Sequence, residues 1–192
     1  MQKLTLEDTW DLLEYEKIRD EFRGRIIALK KKRRVPVGDF ITLVFENRDT
    51  ALFQIQEMIR IERLVRDAPI EHELEVYNPL IPDADELSAT LFIEAQDRPT
   101  LRALLSQLIG LDGHVGLTIG DEFTIPAYFE PDRSREGQIS PMQYLRFPFT
   151  AEERAAFCNG HGPVAIAIDH PSYQAVAALP GDTRASLVKD LE

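Results

Sequence analysis

Four side chains in this sequence have the chemistry of proton transfer or of hard-metal binding: Glu57, Glu62, Asp169 and His170. Asp169 and His170 follow PVAIAI, an apolar run typical of a buried strand. Polar residues at the end of such a strand are frequent in the sites of α/β proteins. The alternative is a structural role, in which this pair caps a following helix that has Pro171 at its first position.

The two glutamates lie in TALFQIQEMIRIERLVR, residues 50–66, whose apolar residues recur at helical spacing. At about 100° per residue, Glu62 and Arg66 fall inside the apolar arc of this predicted helix. A carboxylate in such an arc needs a partner or a proton. Arg66 is one candidate, because an acid four residues before a base forms a favourable helical ion pair. The strand-end pair is the other candidate, and it would place Glu62 in a functional site.

A run of five cations, residues 30–34, predicts the basic C-terminal end of the first helix, where the helix dipole favours positive charge. The run is either a solvated helix end or a surface for an anion or an acidic partner. Residues 1–66 carry a charge balance of +2, whereas the rest of the chain carries −13. The candidate residues for ligand or partner binding are therefore in the front third: Arg25, Lys30, Arg33, Arg34, Gln54, Arg60 and Arg63.

The periodicity of apolar residues predicts an α+β fold in a single domain, 1–192. We expect a helical N-terminal region packed on a mostly antiparallel sheet of about five to six strands. Residues 1–80 are predicted to be mainly helical and basic, and residues 87–170 to form the sheet. Residues 171–192 are predicted to form a helical C-terminal tail.

Composition narrows the function classes. A net charge of −11 argues against general nucleic-acid binding, which depends on neutralising phosphates. The sequence has no apolar run near the roughly 18 residues of a membrane span, and its N-terminus is too polar for a signal peptide, so we expect a cytoplasmic protein. The single cysteine, Cys158, excludes an internal disulfide and a CxxC motif. Gly-rich phosphate loops, GxSxG and HExxH are also missing from the sequence.

Five segments together resemble a bacterial family known as domain of unknown function 3501: RIIALKKKRRV (25–35), FENRDT (45–50), QIQEMIRIER (54–63), YNPLIP (77–82) and IDHPSY (168–173). The resemblance covers nearly the whole chain and implies no activity. It implies that the protein accompanies rubrerythrin-type and iron–sulfur, heterodisulfide-reductase-like proteins, and hence a link to redox or peroxide defence. One cysteine cannot hold an iron–sulfur cluster within this chain. Similar sequences more often carry tyrosine at the position of Phe53, which argues against a hydroxyl role there.

The leading hypothesis is a cytoplasmic accessory protein that binds an acidic or redox protein partner, or a small anion, through its basic front third. The rival is a metal-dependent or acid–base enzyme that uses the Glu, Asp and His side chains named first. A third hypothesis is a structural subunit with no ligand. The sequence defines neither a cofactor nor an oligomeric state.

Overall fold

The computed structural model describes residues 1–131 and 137–191. Within these residues the α-helices are α1 (Leu12–Arg33), α2 (Arg48–Glu62), α3 (Asp67–Tyr77), α4 (Arg98–Gln107), α5 (Ala151–Cys158) and α6 (Gly181–Leu191). The strands are β1 (Arg34–Val37), β2 (Ile41–Glu46), β3 (Glu86–Ile93), β4 (Val115–Ile119), β5 (Phe123–Pro126), β6 (Tyr128–Phe129), β7 (Met142–Pro148), β8 (Val164–His170) and β9 (Tyr173–Ala178). None of the helices in the described ranges combines the length and the apolarity needed to cross a bilayer.

The strands form two antiparallel sheets, with the orders β1-β2-β3-β7-β6 and β5-β4-β8-β9. At one corner the chain passes directly from one sheet to the other, because only Ala127 separates β5 from β6. Such strands that switch sheets make the corners of barrel-like sandwiches.

Tyr173 joins the two sheets at the opposite corner. Its hydroxyl, at the start of β9, donates a hydrogen bond to the Val37 carbonyl (2.6 Å) and accepts one from the Phe40 N–H (3.1 Å). Gly38 turns the chain between β1 and β2 with a φ of +73°, and a Cβ there would lie 2.4 Å from the Tyr173 hydroxyl. Glycine is therefore required both by the left-handed backbone and by the close approach.

The main core fills the space between the sheets. Alternate residues point inward, as in Ile41, Leu43 and Phe45 of β2, and the sequence PVAIAI supplies Val164 and Ile166 from β8. The helices α4, α5 and α6 contribute further apolar side chains to this core.

A second core lies under the N-terminal helices. α1 and α2 run antiparallel, and Tyr15, Phe22, Ile26, Ile55 and Ile59 are buried between them and their neighbours. α2 begins at Arg48, because the Asn47 side chain accepts a hydrogen bond from the Thr50 N–H as an N-cap.

The α+β class and the N-terminal helices predicted from the sequence are confirmed. The strands form two sheets of five and four strands. Helix in the predicted tail begins only at Gly181, because Tyr173–Ala178 pairs with β8 as an edge strand. Alternating exposure along this alanine-rich strand shows that sheet pairing overrides its helical propensity.

Candidate functional site

Glu57 is held at the interface of α1 and α2 by two partners from α1. The Arg19 guanidinium grips both carboxylate oxygens at 2.8 Å, and the Tyr15 hydroxyl donates to Oε1 at 2.9 Å. The hydrogen bonds from Arg19 lower the pKa of Glu57. Burial, together with the neighbouring carboxylate, raises the pKa of Tyr15. The carboxylate is therefore kept ionised and is engaged on both oxygens.

Glu62 does not lie in the apolar arc. It is the last residue of α2 and is exposed, because Arg63 adopts the left-handed conformation (φ 54°) and ends the helix. Arg66 lies beyond this break as the N-cap residue of α3. The helical ion pair between Glu62 and Arg66 predicted from the sequence is therefore wrong, since the two residues do not share a helix. The Glu62 charge instead adds to burial in raising the pKa of Glu73.

The end of β8 is a strand as predicted, and His114 contacts both polar side chains there, since its ring also packs edge-on against His170 with ring centres 5.2 Å apart. Asp169 is 82% exposed, and its Oδ1 lies 3.0 Å from His114 Nδ1. His170 is buried, and its Nδ1 accepts a hydrogen bond from the Ser172 N–H at 3.2 Å. Its Nε2 therefore carries the hydrogen and donates to the Ile109 carbonyl at 3.1 Å. This bonding pattern engages both ring nitrogens with the backbone.

The structure thus places the two glutamates and the strand-end pair in different regions. Glu57 belongs to the helical front and contacts α1, whereas Asp169 and His170 contact residues that flank β4 and β9. Nowhere in residues 1–131 and 137–191 do three or more His, Cys, Asp or Glu side chains group so that they could hold a metal ion.

Arg33, predicted as part of an exposed basic run, is 1% exposed. It falls on the buried stripe of α1 that includes Tyr15, Phe22 and Ile26, and it contacts Ser186 and Asp190 of α6 there. Its Nη1 and Nη2 lie 2.6 and 2.7 Å from the two Asp190 oxygens. Oδ2 has no further hydrogen bond, so the ion pair alone satisfies it.

The same guanidinium also donates to backbone and hydroxyl groups. Its partners are the Ser186 hydroxyl (3.1 Å), the Ser186 carbonyl (3.0 Å) and the Glu46 carbonyl (3.3 Å). The pair lines a cavity of about 450 Å³ whose wall includes Lys32, Asp49 and Asp182, and thus charges of both signs. We infer a structural role for Arg33, which removes it from the predicted partner-binding surface.

The remaining cations at this end of α1 are accessible. Lys31, Lys32 and Arg34 are exposed, and Lys30 is half-buried with its Nζ 3.8 Å from Glu46. No acidic side chain in the described ranges lies within ion-pair distance of Lys31, Lys32 or Arg34. We call these four residues the basic end of α1.

The other predicted binding residues lie elsewhere on the helix pair. Arg25 has its guanidinium 5.0 Å from the centre of the Phe22 ring. Gln54 is half-buried in α2, and Arg60 pairs with Glu16 at 2.6 Å. Arg63 is exposed at the end of α2. Because α1 and α2 are antiparallel, Arg60 and Arg63 lie at the end of the pair opposite the basic end of α1.

Sequence reasoning missed three polar groups that shape these regions: His114, Asp190 and Gln56. Gln56 is fully buried and its amide makes two hydrogen bonds with the backbone of Trp10. A signal existed for Gln56, since it lies one helical turn after Leu52, at the edge of the apolar arc. None existed for Asp190, because its partner is 157 residues away.

The fold and these clusters define an α+β protein in which a basic, helical front packs on a barrel-like pair of antiparallel sheets. The chain belongs to the family described as "Protein of unknown function (DUF3501)", whose model matches residues 3–191. It is also similar to a novel protein of unknown function from Burkholderia pseudomallei, known from a crystal structure at 1.90 Å resolution. The two are 36% identical over 100% of each chain, with a TM-score of 0.92. Among curated proteins, none matches the sequence.

Proposed function

We propose that this protein is a cytoplasmic accessory protein that binds an acidic protein partner through the basic end of α1. The observation that carries the proposal is the exposure of Lys31, Lys32 and Arg34 in a chain whose net charge is −11. Within residues 1–131 and 137–191, no acidic side chain lies within ion-pair distance of these three cations. Overall repulsion would keep most acidic proteins away, so a local cationic patch decides where and how one docks.

The position of the patch favours docking. It lies at the end of a 22-residue helix that the Arg33–Asp190 pair fixes to α6, so binding would not require ordering of the backbone. The negative end of the α1 macrodipole also lies there, so cations are favoured at this position while their side chains stay accessible.

The acid–base enzyme is less well supported by the geometry. Glu57 is engaged on both oxygens, and both ring nitrogens of His170 are hydrogen-bonded to backbone. A proton-transfer role would first require these contacts to break.

The resemblance stated for the sequence makes rubrerythrin-type and iron–sulfur proteins the first partners to test. Binding of each purified candidate, taken from the same organism, would be measured by isothermal titration calorimetry at about 20 and 200 mM salt. Exposed ion pairs contribute roughly 0.2–1 kcal/mol each. The variant Lys31→Ala/Lys32→Ala/Arg34→Ala should therefore bind about tenfold more weakly, and salt should weaken the wild type more than the variant.

A matched control is Lys17→Ala/Arg23→Ala/Arg66→Ala, which removes three exposed cations outside the basic end and gives the same net charge. The control should retain most of the affinity. Equal losses in the two variants would show that total charge, not this surface, governs binding, and no binding to either partner class would remove the redox connection.

A further inference from the structure

A second cavity lies beside α1, about two turns before the basic end. It has a volume of about 210 Å³ and is lined by Trp10, Ile18, Glu21, Phe22 and Arg25. This volume is below the roughly 300–1,000 Å³ of pockets for drug-sized ligands. The cavity therefore fits one ring or one branched aliphatic group.

The aromatic wall of the cavity is held in place before any ligand arrives. The Gln56 side chain accepts a hydrogen bond from the Trp10 N–H (3.0 Å) and donates one to the Trp10 carbonyl (3.1 Å). The indole then packs edge-on against Phe22, with ring centres 5.5 Å apart, and Phe22 packs in the same manner against Phe53. A fully buried amide thus fixes the backbone of the residue that forms the wall.

Arg25 provides the charged rim. Its guanidinium is held over the Phe22 ring by a cation–π contact, and no carboxylate in the described part of the chain lies within ion-pair distance of it. Its N–H donors are therefore available to a ligand. Glu21, one helical turn before Arg25 on α1, also lines the cavity and disfavours a ligand with more than one negative charge.

We propose that this cavity binds an apolar, ring-sized group that carries a carboxylate. The apolar part contacts Trp10, Ile18 and Phe22, and the carboxylate accepts hydrogen bonds from Arg25. An arginine that forms charge-assisted bonds beside an aromatic wall is the composition of an energetic hot spot. The ligand is either a free aromatic acid or the C-terminal residue of a peptide, which share this chemistry. This site is separate from the basic end of α1, so failure to bind the proposed protein partner would not affect this proposal, and the reverse also holds.

Trp10 is the only tryptophan of the chain, so its fluorescence reports directly on the cavity. Phenylacetate tests the free acid, and a short peptide ending in phenylalanine tests the peptide source. Phenylacetamide and the amidated peptide, which lack the carboxylate, are the paired controls. We expect at least one acid to shift Trp10 emission saturably, and its uncharged counterpart to bind about tenfold more weakly.

Two variants separate binding from structure. Arg25→Gln should weaken binding of the acid about tenfold and abolish its advantage over the amide. Arg23→Gln, which removes an exposed cation from a different face of α1, should leave binding unchanged. Ile18→Asp places a carboxylate at the cavity and should abolish binding, and its circular dichroism spectrum checks that it is folded.

Three results would overturn the proposal. The first is equal binding by the Arg25→Gln and Arg23→Gln variants, and the second is equal binding of acid and amide. The third is no saturable change with any probe up to about 10 mM, roughly tenfold above a Kd of about 1 mM.

Discussion

Replacing Arg33 by methionine leaves the Asp190 carboxylate buried without its partner. Both side chains are almost fully enclosed, at 1% and 4% exposure, and two short contacts join them. Removing one member of a buried ion pair costs about 3–5 kcal/mol, because the other charge is left uncompensated. The variant also leaves the Glu46 and Ser186 carbonyls without this donor. We therefore expect the free energy of unfolding to fall by about 3–5 kcal/mol at pH 8.

The loss should depend on pH. Burial raises the pKa of Asp190, and the guanidinium opposes that rise. Without Arg33 the folded-state pKa rises further above the unfolded value of about 3.9. A group whose pKa is raised on folding contributes stability that is fully present below the unfolded pKa and is lost as the pH rises through the folded pKa. The deficit of the variant should therefore be smaller at pH 5 than at pH 8.

Urea denaturation followed by Trp10 fluorescence measures this deficit at both pH values. Arg34→Met is the matched control, because the neighbouring arginine is exposed, and it should change stability by less than about 0.5 kcal/mol. Arg33→Met/Asp190→Leu removes both charges and should recover most of the loss. A deficit below about 1 kcal/mol, or one that is identical at pH 5 and 8, would refute this account of the pair.

Three further changes test other contacts. Glu57→Gln should lower the free energy of unfolding by about 1–2 kcal/mol at pH 7. Because Arg19 lowers the pKa of Glu57, this stabilisation is lost as the pH falls through the folded-state pKa. The urea denaturation curves of variant and wild type should therefore converge in acid. Tyr173→Phe should cost about 1–2 kcal/mol in urea denaturation and should speed amide exchange at Phe40, whose N–H loses its acceptor. Arg63→Gly should raise the free energy of unfolding by about 1 kcal/mol, because glycine tolerates the left-handed φ at this position. An unchanged Tm would contradict this expectation.

Local signals in the sequence mark the starts of α2 and α5. Thr150 and Glu153 have the Thr-x-x-Glu spacing of a capping box and begin α5, and Asn47 caps α2, which begins two residues before the segment 50–66. Both features depend on residues three or four apart, which the sequence displays directly. The apolar run PVAIAI likewise forms the predicted buried strand, with its polar pair at the end.

Features that depend on distant partners could not be predicted. The run of five cations looks uniform in sequence, but one member lies on the buried face of α1 because α6 supplies Asp190. Glu62 fits the apolar arc only if the helix continues, and the left-handed Arg63 gives no sequence signal comparable to glycine. Tyr173–Ala178 reads as helix until β8 is available as a pairing partner.

The Tyr173 corner also forms late during synthesis of the chain on the ribosome. The hydroxyl that anchors the Val37 carbonyl lies 136 residues downstream of it. At roughly 5–20 residues per second, the hairpin of β1 and β2 is synthesised on the order of ten seconds before its anchor. Throughout that interval the opposing sheet is incomplete, because β9 has not been synthesised, and incompletely covered apolar surfaces are prone to aggregate. The nascent chain is thus expected to depend on chaperone protection until Tyr173 has emerged.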